Sequence, residues 1–279
     1  MALEEIFDAV ASTAPDVRGG LTGRRVYEAG ENPSGEAQLA ADVYADGLLE
    51  ERLLDLDSVG SYASEERDDV VESIGDYHVA ADPLDGSSNL KSNNTMGTLV
   101  GVYDEPLPAP GRALVGSAFV LYGPITTMVT AAAGGTAAEF VVADDGTREV
   151  VTERLQLPEE PTVYGFGGRV PRWTDEFADY VAEVETELKL RYGGAMIGDV
   201  NQVLTYGGIF GYPPLVDRPE SKLRLLFEGH PIANIVETAG GRSSNGRRSL
   251  LKCEPNELHE RTPVFVGNES YVDRLEVAL

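Results

Sequence analysis

The sequence predicts an α+β, or mixed α/β, fold. Apolar residues recur with helical spacing in several separate segments. Between them lie closely spaced segments rich in β-branched and aromatic residues, joined by turn residues, which read as an antiparallel meander. Helices and strands mix without strict alternation, which argues against a regular doubly wound sheet.

Each element follows from its residues. Leu3, Ile6, Phe7 and Val10 sit at helical spacing and predict an N-terminal helix. The Gly-rich, polar stretch 19–36 reads as a mobile loop. Residues 37–56, AQLAADVYADGLLEERLLDL, look helical. The segment DYHVAAD reads as a strand ending at Asp82, because Pro83 lacks an N–H and disfavours helix at the residue before it. GTLVGVY, ALVGSAFVLYG, ITTMVTAAA and AEFVVAD then supply the meander. Pro158 and Pro161 interrupt residues 152–165, where a boundary between two halves is expected. Thr174 is an N-cap candidate for a helix carrying Phe177, Tyr180, Val181 and Val184. KLRLLFE reads as a hydrophobic strand ending at Glu228. HPIANIVETAGG reads as a helix, with Pro231 near its start and Gly240 near its stop. No internal repeat is visible.

The 279 residues are 42% hydrophobic, enough to bury a sizeable core. The longest apolar runs fall short of the ~18–20 residues needed to cross a bilayer. The opening MALEEIFDAV is acidic where an export signal would be basic, so a cytoplasmic location is expected. The single cysteine, Cys253, excludes an internal disulfide framework and a cysteine-based zinc site. The net charge is −25, and the only lysines are Lys91, Lys189, Lys222 and Lys252. This composition resembles that of proteins from a salt-rich cytoplasm, where the Debye length shrinks to ~3 Å at 1 M and self-repulsion is screened. An ordinary acidic protein is the alternative. On either reading nucleic acid and anionic membranes are poor partners.

One stretch concentrates the chemistry: VAADPLDGSSNLKSNN, residues 79–94. Asp82 and Asp85 project where a strand stops, and Gly86, Ser87 and Ser88 offer backbone N–H groups suited to a phosphate. Carboxylates beside an anion cradle conflict unless a hard divalent cation lies between them. Turn chemistry alone is the competing explanation, since Asp, Pro, Gly and Ser all favour turns. Two further acidic points, Glu65–Glu66 in YASEERDD and Glu228 in KLRLLFEGHPIAN, strengthen the metal reading.

These segments, together with LRYGGAMIGDVNQVLTYGGIFGYP (190–213), resemble the fructose-1,6-bisphosphatase family. That family lies within the magnesium-dependent, lithium-sensitive sugar and inositol phosphatases. The resemblance runs from about Gln38 to Gly241, with motif order and spacing kept. It implies a layered αβαβα sugar-phosphatase fold with two closely packed halves, 1–157 and 158–279. It implies hydrolysis of the 1-phosphate of fructose 1,6-bisphosphate in gluconeogenesis by metal-activated water, with no covalent phosphoenzyme. By position, Glu65, Asp82, Asp85 and Glu228 would be side-chain ligands for two or three Mg²⁺ per subunit, with Mn²⁺ as a substitute. The Leu84 carbonyl would complete a second metal site, and Asp68 is a candidate at a third.

The resemblance assigns Asp42 and Glu66 to positioning and deprotonating the attacking water. Gly86, Ser87 and Ser88 would hold the 1-phosphate, with Arg224 adding positive charge. Arg191, Tyr192, Tyr212 and Lys222 match the 6-phosphate pocket, and Met196 and Asp85 would contact the sugar. In the family the arginine matching Arg191 reaches a neighbouring subunit's site, which implies a homo-oligomer, dimer or tetramer. The segment YGFGGRVP (164–171) departs from the family's usual Asn-Glu-Gly pattern, and Arg169 is a candidate replacement donor. An inositol-monophosphatase-like enzyme is the alternative phosphatase, and a silent sugar-phosphate-binding regulator the alternative outside enzymes.

The remaining candidates are weaker. His78, His230 and His259 lack metal-ligand spacing, and no Gly-x-Ser-x-Gly elbow surrounds Ser87. GRSSNGRRS (241–249) reads as a basic surface loop.

Overall fold

The computed structural model describes residues 2–25, 27–31 and 37–279. The first helix, α1 (Ala2–Gly20), buries Ile6, Phe7, Val10, Ala11, Ala14 and Val17 along one face. It runs beyond the expected start of a loop at Gly19. Buried Val17 anchors its last turn, and Arg24 Nη1 donates to the Gly20 carbonyl at 2.8 Å, satisfying an end acceptor. Strand β1 (Tyr27–Glu31), inside the expected loop, pairs antiparallel with β2 (Ala37–Leu39), at the start of the stretch expected to be helical. Residues 26 and 32–36 of the expected loop lie outside the described residues. Helix α2 (Ala40–Leu54) therefore starts after β2 rather than at Ala37.

The larger sheet holds β3 (Val59–Ser64), β4 (Val71–Glu72), β5 (Tyr77–Asp85), β6 (Met96–Tyr103), β7 (Leu114–Tyr122), β8 (Thr126–Ala132), β9 (Ala137–Val142) and β10 (Arg148–Thr152). Its order is β10-β9-β8-β7-β6-β5-β3-β4. β6 to β9 are the expected meander, and β5 and β10 extend it antiparallel at its two ends. The β3–β5 pair is parallel.

Alternation assigns the two faces. Phe119, Leu121, Val129 and Ala131 point to one core. Ala118, Val120, Tyr122 and Met128 point to another, shared with α1 and α2.

The smaller sheet contains β11 (Val163–Phe166), β12 (Lys189–Leu190), β13 (Gly208–Tyr212), β14 (Arg242–Ser244) and β15 (Val264–Gly267), ordered β12-β11-β13-β15-β14. Helices α4 (Met196–Tyr206) and α5 (His230–Thr238) lie between the sheets and contact both. Helices α3 (Asp175–Glu187) and α6 (Glu269–Ala278) cover the outer face of the smaller sheet. Thr174 caps α3 as expected, accepting the Phe177 N–H at 3.3 Å. The result is the layered αβαβα arrangement. The middle layer fuses the halves: one apolar cluster joins Leu99, Phe119 and Val129 to Ile197, Val203, Ile232, Ile235 and Val264. Buried Asn234 on α5 adds hydrogen bonds to Ser117 Oγ at 2.7 Å and the Ala131 carbonyl at 3.1 Å.

Two expected strand ends are displaced. β5 does not stop at Asp82. It continues past Pro83 to Asp85 by a bulge: Asp82 faces Leu99 and Asp85 faces Gly97 on β6. The bulge absorbs the residue that cannot donate to the ladder. KLRLLFE is not a strand. Leu225–Gly229 forms a π-helical turn that runs into α5, with the Arg224 carbonyl accepting the N–H groups of Glu228 (3.1 Å) and Gly229 (2.9 Å). Such single wide turns are frequent at functional sites.

Candidate active site

Three pieces of backbone bring the acids together. Glu65 follows the last residue of β3, and its N–H donates to the Ala81 carbonyl at 3.0 Å, which fixes it beside β5. The β5 bulge presents Asp82 and Asp85, and the π-turn presents Glu228. One carboxylate oxygen from each of Glu65, Asp82 and Glu228 lies within 4.8 Å of the others, and all three residues are buried.

One buried cation serves them. Arg224, 2% exposed, places Nη1 2.6 Å from Glu65 Oε1 and 3.9 Å from Glu228 Oε2, and its N–H donates to Glu228 Oε2 at 2.6 Å.

A single guanidinium leaves this cluster strongly acidic. Burial holds the Asp82 carboxyl well above its ordinary range, and Glu65, Asp85 and Glu228 push it further. Burial and then Glu65 raise Glu228, against the pull of Arg224. Burial raises Asp85 to about 6, opposed by the Ile197 N–H and by Lys222. Glu228 stays raised even with Arg224 beside it, so added positive charge would stabilise the ionised carboxylates. Hard oxygen donors in such a set fit a divalent cation such as magnesium.

Beyond the bulge, Gly86 adopts a left-handed φ of 73° and opens the 3₁₀ turn Ser87–Lys91. A Cβ at Gly86 would fall 2.2 Å from the Ala195 Cβ, so glycine is required by both φ and space. The turn borders a cavity of ≈360 Å³ that the four acids also line. Asp42, Glu66, Leu84, Gly86, Ser87, Ser88, Met196, Tyr212, Lys222 and Arg224 line it as well. Asp42 also caps α2, accepting the Leu39 N–H at 2.8 Å.

Arg191 and Tyr192 lie apart from this set. They line a neighbouring cavity of ≈220 Å³ with Asn94, Gly193 and Asp199. Tyr192 still reaches the main site, since its hydroxyl is 2.8 Å from that of Tyr212. Asp68 and Arg169 are exposed and do not line the main cavity.

Sequence reasoning missed Leu39, Gly194 and Leu223 in the cavity wall. It also missed Asp199, which accepts the Gly193 N–H at 2.6 Å. Asn89 and Asn94 stood in the quoted stretch, but nothing local tied them to Gly193, whose carbonyl both of them hold. Among the described residues no helix is long and apolar enough to cross a membrane.

A five-layer fold with an acid-lined cavity beside a glycine–serine turn fits a phosphatase of the metal-using kind. The family model described as "Fructose-1-6-bisphosphatase, N-terminal domain" matches residues 3–152, and "Fructose-1-6-bisphosphatase, C-terminal domain" matches 157–279. The chain belongs to the fructose-1,6-bisphosphatase family. A Natronomonas pharaonis protein named fructose-1,6-bisphosphatase class 1 is 74% identical, covering 100% of this chain and 99% of that one. A Haloarcula marismortui protein named fructose-1,6-bisphosphatase class 1 1 is 56% identical, covering 98% and 93%. The holo form of Leishmania major fructose-1,6-bisphosphatase superposes with a TM-score of 0.93 at 29% identity, covering 99% of this chain and 94% of that one. The haloarchaeal relatives support the salt-adapted reading of the composition, and family membership implies use of a divalent metal.

Proposed function

We propose that this chain hydrolyses the 1-phosphate of D-fructose 1,6-bisphosphate to give fructose 6-phosphate and inorganic phosphate, a step of gluconeogenesis in a salt-rich cytoplasm. The observation that carries this is the meeting of Glu65, Asp82, Asp85 and Glu228 beside the Gly86–Ser88 turn in one cavity that also holds Tyr212 and Lys222.

The four carboxylates and the Leu84 carbonyl are the donors that would hold Mg²⁺, two or three per subunit, or Mn²⁺ in its place. When bound, the metal supplies charge neutralisation for the phosphoryl oxygens and lowers the pKa of water. The N–H groups of Gly86, Ser87 and Ser88, with the serine hydroxyls, orient the 1-phosphate. Asp42 and Glu66 hold the attacking water and take its proton. Met196 and Asp85 bound the sugar, and Tyr192, Tyr212 and Lys222 receive the 6-phosphate. Arg191 stands outside its own cavity, which supports a homo-oligomer, dimer or tetramer, in which it serves a neighbour's 6-phosphate.

The test is release of inorganic phosphate from a panel of sugar phosphates in molar KCl, with and without magnesium. Fructose 1,6-bisphosphate is expected to be hydrolysed fastest, and only with the metal. Faster release from an inositol monophosphate, or release unaffected by a chelator, would overturn the reading.

A further inference from the structure

We propose that the Gly193 peptide is the joint that sets the distance between the two phosphate-holding ends of the cavity. Asn94 and Asp199 are then positioning residues for selectivity toward a sugar bisphosphate over a 1-phosphate monoester. This rests on the reading of the cavity given above.

The Gly193 peptide is gripped on both of its polar groups. Its carbonyl accepts from Asn89 Nδ2 at 3.0 Å and from Asn94 Nδ2 at 2.9 Å, and its N–H donates to Asp199 Oδ1 at 2.6 Å. Asn89 belongs to the 1-phosphate turn itself, where its N–H donates to the Gly86 carbonyl at 2.8 Å. Asn94 is fixed in turn: its N–H donates to the Asn89 carbonyl at 3.0 Å and its Oδ1 accepts the Thr95 N–H at 2.9 Å. Its Nδ2 is thereby aimed at Gly193. Asp199 is 4% exposed in the first turn of α4.

The residue before this joint is Tyr192, which meets Tyr212 in the main cavity. A short series of hydrogen bonds thus runs from Gly86 at one end to Tyr212 at the other. A bisphosphate must satisfy both ends at once, whereas a 1-phosphate monoester uses only the Gly86 end. Positional slack at Gly193 therefore weakens binding of the first and leaves the second alone. Neither Asn94 nor Asp199 lines the substrate cavity, so both act through the 192–194 loop.

The experiment compares kcat and KM for fructose 1,6-bisphosphate and fructose 1-phosphate in the full chain with magnesium. The variants are Asp199→Ala, Asp199→Asn and Asn94→Ala. Asp199→Ala removes the acceptor of the Gly193 N–H and is expected to raise KM for the bisphosphate about tenfold, the scale of a lost buried hydrogen bond. Its kcat and its KM for the monoester are expected to stay within about twofold. Asp199→Asn keeps an acceptor oxygen and restores most of the difference. Asn94 is exposed, so Asn94→Ala tests the joint without threatening the fold and is expected to raise the bisphosphate KM about threefold. Equal KM changes for both substrates, or an unchanged bisphosphate KM in Asn94→Ala, overturns the proposal. A parent protein that does not prefer the bisphosphate at all instead refutes the functional reading beneath it.

Discussion

Asp85 Oδ2 accepts the main-chain N–H of Ile197 at 2.7 Å, across 112 positions of sequence. Helix α4 begins at Met196 after Ala195, which has no side-chain cap of its own. Asp85 therefore caps α4 from the other half of the molecule and places a negative charge at the helix's positive end. A proposed metal ligand and the helix carrying Met196 and Asp199 are thus one mechanical unit.

This dual role separates two substitutions. Asp85→Asn keeps an acceptor for Ile197 but removes the charge, so the metal-free protein should melt no lower than the parent while magnesium affinity and turnover fall by more than about tenfold. Asp85→Ala should lose the cap as well and about 1 kcal/mol of stability. Melting curves in chelator, paired with magnesium titrations, distinguish the two. Identical melting of both variants would remove the cap from the account.

Glu66 lies outside the close cluster of Glu65, Asp82 and Glu228 but faces the same cavity. Glu66→Gln should leave magnesium binding nearly unchanged and lower kcat by about 10²-fold, the scale of a lost general base. Calorimetric magnesium binding and steady-state rates together check this. Full turnover in the variant would exclude Glu66 from proton transfer.

Lys222 is exposed at the cavity wall and pulls down the Asp85 carboxyl from there. Lys222→Ala should raise KM for the bisphosphate about tenfold or more, as expected for a lost charge-assisted contact. The KM for fructose 1-phosphate should hardly change. Equal losses on both substrates would place Lys222 at the 1-phosphate instead.

The acid cluster also predicts how stability depends on pH. In the unfolded chain Asp and Glu ionise near their ordinary 3.8 and 4.5, whereas folding raises Asp85 to about 6 and lifts Asp82 and Glu228 well above those values. The folded, metal-free protein binds the extra protons. Their stabilising contribution is fully present below about pH 4 and is lost as pH rises through about 6 and beyond. A bound dication favours the ionised carboxylates and offsets that loss. In molar KCl with chelator, the melting temperature should fall between pH 5 and pH 8. Added magnesium should raise it more at pH 8 than at pH 5. A magnesium effect independent of pH would contradict the assignment of these acids as ligands.

Local pattern explains what the sequence made legible. The β6-to-β9 meander, α3 with its Thr174 cap, and α5 with Pro231 at its start all follow from spacing within a few residues. The acid set was readable because each carboxylate sits at the end of an apolar segment.

What escaped depended on partners far along the chain. Asp82 ends no strand because β6 and a bulge carry β5 past Pro83. KLRLLFE has a strand's composition, yet Leu225 bonds to the Glu260 carbonyl and the chain winds into a π-turn. Asp199 reads as an ordinary helix carboxylate until the fold sets Gly193 against it.

The guanidinium of Arg224 is covalently part of the seat it occupies, so it never leaves when ions come and go. A dication at Glu65 would bind a carboxylate whose Oε1 already meets this resident cation. Such an ion would be held less firmly than by four bare carboxylates. On the proposed assignment of these acids, the site would fill as the free magnesium level around the protein rises.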